Sequence, residues 1–215
     1  MANRPVFCSI DEYPYVKQVD IDFEFFSGFS ISQKQKCIKS LHESFNNIYP
    51  KRKVLEVSSK SYQDKGIEFS AFNLKKYVKQ IDSRVSVENI FQSSKVFEDG
   101  GPYRDLLLVS AKEAKKEIRN HDGSLLKKFN FEDYDYPLVP RTFFFDYIYM
   151  NALLENKELI DILIQYDSFT DIEFNPNKSI NCQAKACATF VSLYRLNKLD
   201  ILDCQEKYLC FILNR

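Results

Sequence analysis

The sequence predicts a mainly helical domain with a few short strands. Apolar residues recur at helical spacing in several long segments, an almost continuously apolar stretch covers residues 142–154, and alternation of apolar and polar residues is confined to short segments. The 215 residues are 45% hydrophobic and include 19 Phe and 13 Tyr. A chain of this length and composition can bury a substantial core, and one domain is the default expectation.

Residues 1–61 are predicted to form an accessory layer on the same core as the rest of the domain, residues 62–215; a partner-binding extension is the alternative. A half-buried strand begins this layer, with its apolar positions at Val19, Ile21, Phe23 and Phe25. An amphipathic helix is expected over 32–48, stopped by Pro50, with an inward face of Ile38, Leu41, Phe45 and Ile48. A short strand around 54–57 completes the layer.

Caps, turn residues and periodicity predict the remaining elements. The first of these are a strand over 67–72, a polar connection over 74–83, a helix over 86–97 and a turn at 100–102, where Pro102 opens a new helix. A helix then runs from a capping box at Ser110 to about 123, followed by a loop over 131–140 and a core helix over 142–154. The last elements are a helix over 157–166, a loop over 167–177, a helix over 181–196 and a tail, 200–215, that is either strand or helix.

The helix predicted over 86–97 carries polar side chains next to its apolar face. Ser86 is a suitable N-cap, because its hydroxyl can accept a hydrogen bond from a first-turn N–H group. Glu88, Gln92 and Lys95 follow at spacings of four and three, which aligns them on one stripe beside Phe91. This stripe is either a solvated flank with a weak ion pair or the wall of a binding site.

Composition and absent motifs exclude several classes of function. Thirty basic and thirty acidic residues cancel, so contact with DNA would need a local basic patch. No signal peptide or membrane-spanning segment is expected, and six dispersed cysteines indicate reduced thiols in the cytoplasm. Only two histidines are present and neither lies beside a second ligand, so no metal and no cofactor are predicted. Phosphate-binding glycine loops, Gly-x-Ser-x-Gly and His-Glu-x-x-His do not occur in the sequence.

Two motifs resemble the signature of the NADAR (NAD- and ADP-ribose-associated) superfamily. Phe69-Ser70-Ala71-Phe72-Asn73 is similar to its Phe-Ser-Asn-Phe segment, with Ala71 in the usual place of Asn, and Glu88-x-x-Phe91-Gln92-x-x-Lys95 is similar to its helix motif. The similarity runs from about Ile67 to about Leu196. It implies a small α+β fold, NADAR-like, with residues 1–61 as an N-terminal extension.

The resemblance also extends to a second acidic cluster. Glu173 matches the acid of a valine- or isoleucine-glutamate step, with Asp171 beside it, and Asn181 matches the Asn-x-x-Gly opening of the last helix, with Ala184 in place of Gly. The tryptophan-glycine segment usual between these features is missing, since the chain has no tryptophan. That departure argues against the subgroup that resembles riboflavin-pathway N-glycosidases.

Carboxylates, a lysine and aromatic rings are suited to cleavage of an N-glycosidic bond. A carboxylate stabilises an oxocarbenium-like transition state or activates water, and an amine donates a proton or forms an imine with an opened sugar. The resemblance implies Glu88 as the first catalytic residue, Lys95 as its assistant and Glu173 or Asp171 as a second acid. The candidate ligand-binding residues are Phe72, Asn73, Gln92, Tyr103, Arg104 and Asn181. Each has an ordinary structural alternative as a core, turn, helix-dipole or surface residue.

The sequence lacks tryptophan and has an N-terminal extension, and in these two features it resembles the antitoxin branch of the superfamily. The resemblance therefore implies a cytoplasmic, metal-independent ADP-ribosylglycohydrolase that removes ADP-ribose from guanine bases in DNA and opposes a DarT-type toxin. Its expected partners are ADP-ribosylated DNA or ADP-ribose and the cognate toxin, with no membrane. One alternative is an N-glycosidase that acts on a riboflavin-pathway or other nucleotide-sugar metabolite. The other is a module that binds ADP-ribose or the toxin without turnover.

Overall fold

The computed structural model describes residues 1–214 and divides into two compact units. Unit 1 comprises Met1–Ser70 and the chain from Asn156 onwards, and unit 2 comprises Ala71–Glu155. Eight α-helices and three small sheets within these residues make the protein α+β. None of the helices in the described part of the chain has the length and apolar character that crossing a bilayer requires.

The elements are numbered in chain order. The strands are β1 (Ala2–Ser9), β2 (Val16–Phe23), β3 (Val54–Glu56), β4 (Lys75–Val78), β5 (Ser83–Ser86), β6 (Lys95–Phe97), β7 (Leu126–Phe131), β8 (Tyr134–Tyr136) and β9 (Ser168–Thr170). The α-helices are α1 (Ile31–Ile48), α2 (Asp64–Glu68), α3 (Val87–Ser93), α4 (Ala111–Lys115), α5 (Phe143–Leu154), α6 (Lys157–Leu163), α7 (Gln183–Arg195) and α8 (Gln205–Ile212).

Unit 1 is built on a four-stranded sheet in the order β2-β1-β9-β3. β1 is antiparallel to both β2 and β9, and β3 runs parallel to β9. The helix α1 packs on this sheet, and their shared core contains Val6, Ile21, Phe23, Ile38, Leu41 and Phe45. The predicted alternation in β2 and the predicted inward face of α1 are thus confirmed at these positions. Phe25 and Ile48 are 47% and 60% exposed, contrary to prediction, since Phe25 lies beyond β2 and Ile48 is the last residue of α1.

Unit 2 contains a two-stranded sheet, β4-β5, and a three-stranded sheet, β6-β7-β8. The apolar helix α5 is buried on most of its faces, as predicted. Its Phe144 stacks on Phe129 of β7 with ring centroids 4.6 Å apart, and Phe145 meets Phe91 of α3 edge-on at 5.6 Å. This aromatic core fixes α3 against the three-stranded sheet and α5, because offset and edge-to-face ring pairs are directional contacts.

Several short elements differ from the prediction. The expected strand over 67–72 is wrong: α2 and a turn occupy this region, and a short apolar run does not distinguish strand from helix by periodicity. Gly66 of α2 is tightly enclosed, since an added Cβ would lie 2.3 Å from the Glu56 carbonyl oxygen. The polar connection over 74–83 contains β4, and the loops over 131–140 and 167–177 contain β8 and β9. The tail, which the sequence left open, forms α8.

The central helix is shorter than predicted. Ser86 caps α3 as expected, by accepting a hydrogen bond from the Asn89 N–H group. The helix ends at Ser93, and Lys95 begins β6 instead of continuing the helical stripe. The Ser93 and Ser94 hydroxyl groups both donate to the Ile90 carbonyl oxygen. Such side-chain bonds compete with the backbone bonds that would extend a helix.

The segment after the central helix also departs from the prediction. Ser110 forms the predicted capping box with Glu113, but α4 ends at Lys115, and a single 3-10 turn covers Ile118–Asn120. Pro102 does not open an α-helix: a 3-10 helix begins two residues later, over Arg104–Leu107.

Candidate functional site

The two sequence motifs are joined by backbone hydrogen bonds at the start of α3. The Val87 N–H group donates to the Leu74 carbonyl oxygen and the Glu88 N–H group donates to the Ala71 carbonyl oxygen, both at 2.9 Å. These bonds satisfy first-turn donors that have no partner within the helix. They hold Phe72, which is half-buried, and Asn73, which is exposed, beside the residues that α3 presents.

Glu88 and Gln92 form a buried polar pair on α3. They are only 7% and 6% exposed, and the Gln92 side-chain amide donates to the Glu88 carboxylate at 2.8 Å. The oxygen of the same amide accepts from the Asn120 side chain at 3.2 Å. The Asn120 side-chain oxygen is buried without a hydrogen-bond partner among residues 1–214. This series of side-chain hydrogen bonds, from Asn120 through Gln92 to Glu88, thus fixes the Glu88 carboxylate. At its other end the Asn120 oxygen remains as an unused acceptor.

Lys95 extends from β6 over the face of Phe91, with its Nζ atom 5.3 Å from the ring centroid. Burial lowers the pKa of Lys95 to about 8, although the charge of Glu88 acts in the opposite direction. Phe91 is itself held by Phe129, whose ring centroid is 5.2 Å away. The amine therefore has an apolar wall on one side, feels the negative charge of Glu88, and can lose its proton near neutral pH.

Asn89 fixes the segment that carries Tyr103 and Arg104. Its side-chain amide donates to the carbonyl oxygens of Leu106 and Val109 at 2.7 and 2.9 Å. The 3-10 helix that begins at Arg104 is thereby attached to α3. Sequence reasoning missed Asn89, whose buried side chain no motif or spacing distinguishes from its neighbours.

Arg104 is committed to a structural contact, because its guanidinium donates to the backbone and side-chain oxygens of Asn130. Arg119 covers the ring of Tyr103 at 4.4 Å and forms ion pairs with Asp105 and Glu117. A phosphate at this place would have to compete with these two acids for Arg119.

Lys115 lies against the motif formed by residues 69–73. The Nζ atom of Lys115, an exposed residue of α4, is 5.0 Å from the centroid of the Phe72 ring. Lys115, Arg119 and Asn120 were missed by sequence reasoning, since they come from a charged segment that shows no pattern beyond its capping box.

The second acidic cluster follows β9 in unit 1. The Asp171 carboxylate accepts a hydrogen bond from the Glu173 N–H group at 3.0 Å, which closes a turn directly after the strand. Asp171 is half-buried, whereas the Glu173 side chain is 43% exposed and forms an ion pair with Lys34 of α1 at 3.0 Å. Asn181 does not open α7, because Cys182 occupies the N-cap position. The Asn181 side-chain oxygen is buried without a hydrogen-bond partner among residues 1–214.

Comparison with known proteins identifies the family. No curated protein matches the chain. The model of one family, described as DarT1-associated NADAR antitoxin, matches residues 2–215. The match covers both motifs, the second acidic cluster and the N-terminal segment that was expected to be an addition. The chain therefore belongs to the family of DarT1-associated NADAR antitoxins.

Proposed function

We propose that this protein is an N-glycosyl hydrolase that removes ADP-ribose from guanine bases in DNA and so acts as the antitoxin to a DarT1-type toxin. Membership of the antitoxin family supports the biological role. The observation that carries the chemistry is the pair formed by Glu88, a buried and oriented carboxylate, and Lys95, an amine whose pKa is lowered to about 8.

Glu88 is proposed to act on the anomeric carbon of the ribose. As the bond to the base nitrogen breaks, positive charge develops on the sugar, and a carboxylate next to it stabilises that charge or accepts a proton from the attacking water. The hydrogen bond from Gln92 restricts the orientation of this carboxylate. A carboxylate held in place by other side chains requires little reorganisation during the reaction.

Lys95 is proposed to assist in one of two ways. In its ammonium form it can donate a proton to the departing base. In its neutral form it can attack the anomeric carbon as the bond to the base breaks, so that the base leaves with a proton and ring opening gives an imine between Lys95 and the sugar. Water then hydrolyses this imine and returns the amine and the free sugar. A pKa of about 8 leaves both forms populated near neutral pH.

Asp171 and Glu173 are proposed as second acids, with Asp171 favoured. Glu173 is exposed and already paired with Lys34, whereas Asp171 is half-buried at the end of a strand. Phe72 and Tyr103 are proposed to stack on a base or ribose, and the unused oxygens of Asn120 and Asn181 to accept ligand hydrogen bonds.

The test uses an oligonucleotide that carries ADP-ribose on one guanine. Wild-type protein should release ADP-ribose, and Glu88→Gln should reduce the rate roughly 10²- to 10⁴-fold, as loss of a general acid or base does. Glu98→Gln is the matched control, because Glu98 is an exposed carboxylate of the same unit, paired with Lys127. Activity confined to phosphoribosyl-amine metabolites would assign the protein to the metabolite glycosidases. Toxin protection by Glu88→Gln without any turnover would assign it to the binding modules.

The two roles of Lys95 are separated by borohydride reduction during turnover. An imine would be trapped as a stable adduct between ADP-ribose and the protein, and its mass would map to Lys95. Lys95→Arg should abolish the adduct, whereas Lys112→Met, which alters an exposed lysine of the same unit, should not. Turnover at the full rate without any adduct would leave proton donation as the role of Lys95.

A further inference from the structure

Glu56, at the end of β3, is a buried carboxyl group that the proposed reaction does not use. It is only 1% exposed. One carboxyl oxygen accepts a hydrogen bond from the Ile172 N–H group at 2.9 Å, and the other accepts one from the Thr170 hydroxyl group at 2.6 Å. Ile172 stands between Asp171 and Glu173, so this carboxyl group holds the backbone of the second acidic cluster.

A line of hydrogen bonds leads from Glu56 to the surface of unit 1. The Thr170 hydroxyl oxygen lies 2.7 Å from Nε2 of His42, and Nδ1 of His42 lies 3.3 Å from the Tyr62 hydroxyl oxygen. Both His42 and the half-exposed Tyr62 line a cavity of about 380 Å³. Burial lowers the pKa of His42 to about 4, so its ring is neutral at ordinary pH and exists as one of two tautomers.

The hydrogen bonds along this line can run in either of two directions, and the protonation state of Glu56 determines which groups donate and which accept. When Glu56 is protonated and donates to the Thr170 oxygen, the hydrogen of Thr170 points to Nε2 instead of to Glu56, so the His42 proton must sit on Nδ1. An ionised Glu56 accepts from Thr170, whose oxygen then accepts from a proton on Nε2. The tautomer of His42 therefore reports the charge of Glu56, because each hydroxyl group has one hydrogen to donate.

We infer that Glu56 is a positioning residue that stays protonated in the working protein, fixes the loop at Ile172 and allows Asp171 to be the ionised member of the two neighbouring carboxyl groups. This inference rests on the proposed role of Asp171. Two carboxyl groups in close proximity do not both ionise readily, and the more deeply buried one retains the proton.

The surroundings of Glu56 support this assignment. Burial, helped by the negative charge of Asp171, raises the pKa of Glu56 to about 8 against the hydrogen bonds from Ile172, Ser58 and Thr170. The other titratable groups that face it are His42, which is neutral, and Tyr62, whose pKa is raised above its usual value by burial. None of these neighbours supplies a positive charge that would favour the carboxylate.

The direct test is nitrogen-15 NMR of the histidine rings in the complete protein. The chain has only two histidines, so His121→Gln, a change at an exposed residue, assigns the His42 signals. His42 should carry its proton on Nδ1 at about pH 6.5 and on Nε2 at about pH 9.5, with a midpoint near the pKa of Glu56. In Glu56→Gln, whose amide donates permanently to Thr170, the proton should stay on Nδ1 at both pH values.

One unchanged tautomer in the wild type, or a tautomer change that persists in Glu56→Gln, would overturn the inference. If Glu56→Gln does not fold, the carboxyl carbon signal of Glu56 in the wild type decides alone. Titration near pH 8 supports the inference, and titration in the ordinary range of a glutamate refutes it.

A kinetic test addresses the link to Asp171. Glu56→Gln should keep kcat at pH 7, whereas Glu56→Leu, which fills the space without holding Ile172, should lower kcat about ten- to a hundredfold with little change in KM. Full activity of a folded Glu56→Leu protein would show that Glu56 only fills space. If the wild type cleaves no ADP-ribosylated DNA, the proposed function fails, and the tautomer measurement still decides the protonation of Glu56.

Discussion

Replacing Lys95 by methionine should stabilise the protein while removing its activity. Moving the pKa of Lys95 from 10.5 to about 8 corresponds to roughly 3 kcal/mol of unfavourable free energy for the buried ammonium group at pH 7. Partial exposure reduces this figure, and the substitution also removes the attraction between the ammonium group and the Phe91 ring, which is worth about 0.5–1 kcal/mol. The expected net gain in the free energy of unfolding is therefore about 1–2 kcal/mol.

The stability difference between Lys95→Met and the wild type should become smaller at high pH. The folded protein loses the Lys95 proton above about pH 8, while the unfolded chain keeps it up to about pH 10.5. Since the unfolded state then binds more protons, wild-type stability rises relative to Lys95→Met over this window. Urea denaturation of both proteins at pH 7 and at about pH 10 measures the difference, with Lys112→Met as the control for a lysine in solvent. Destabilisation by Lys95→Met at pH 7, or a difference that does not change with pH, would refute the reasoning.

Two further predictions concern stability in unit 1. Gly66→Ala should lower the free energy of unfolding by about 1–3 kcal/mol, as overpacking does, because the new Cβ would lie 2.2 Å from the Ser61 hydroxyl oxygen; an unchanged denaturation midpoint would contradict this. For Glu56, the folded-state pKa of about 8 lies above the unfolded value near 4.5, so its contribution to stability is fully present below about pH 4.5 and is lost as the pH rises through 8. The stability of Glu56→Gln relative to the wild type should accordingly increase by several kcal/mol between about pH 4.5 and pH 8 in denaturation titrations, and a constant difference would argue for an ionised Glu56.

Long periodic segments were the parts of the fold that the sequence predicted best. Most of the inward face of α1 follows from residue spacing, because a helix of three or more turns repeats its pattern often enough to be unambiguous, and α5 follows from an apolar stretch that is too long for a typical strand. Short elements such as α2 could not be predicted in this way. Their structure depends on tertiary packing, as at Gly66, where backbone and side-chain atoms leave no room for a Cβ.

The candidate site shows the same limit. The stripe of Glu88 and Gln92 was predictable, since both residues lie on one helix. The position of Lys95 was not predictable, because β6 is defined by its pairing with β7, in which Lys95 lies opposite Phe129, 34 residues further along the chain. Asn120 and Glu56 were also missed: each acquires its role from groups that are distant in sequence, and a polar residue in a short segment carries no sign of burial.

The order of strands in unit 1 has a consequence for how the chain is made. β9 lies between β1 and β3, so the sheet that begins at Ala2 cannot close until Ser168–Thr170 has left the ribosome. At about 5–20 residues per second, translation of residues 57–167, which lie between β3 and β9, takes roughly 5–20 seconds. During that interval the first hairpin and α1 lack their central partner strand, while all of Ala71–Glu155 is being synthesised. A cell that makes this antitoxin thus acquires the complete sheet of unit 1 only after Ser168–Thr170 has been translated.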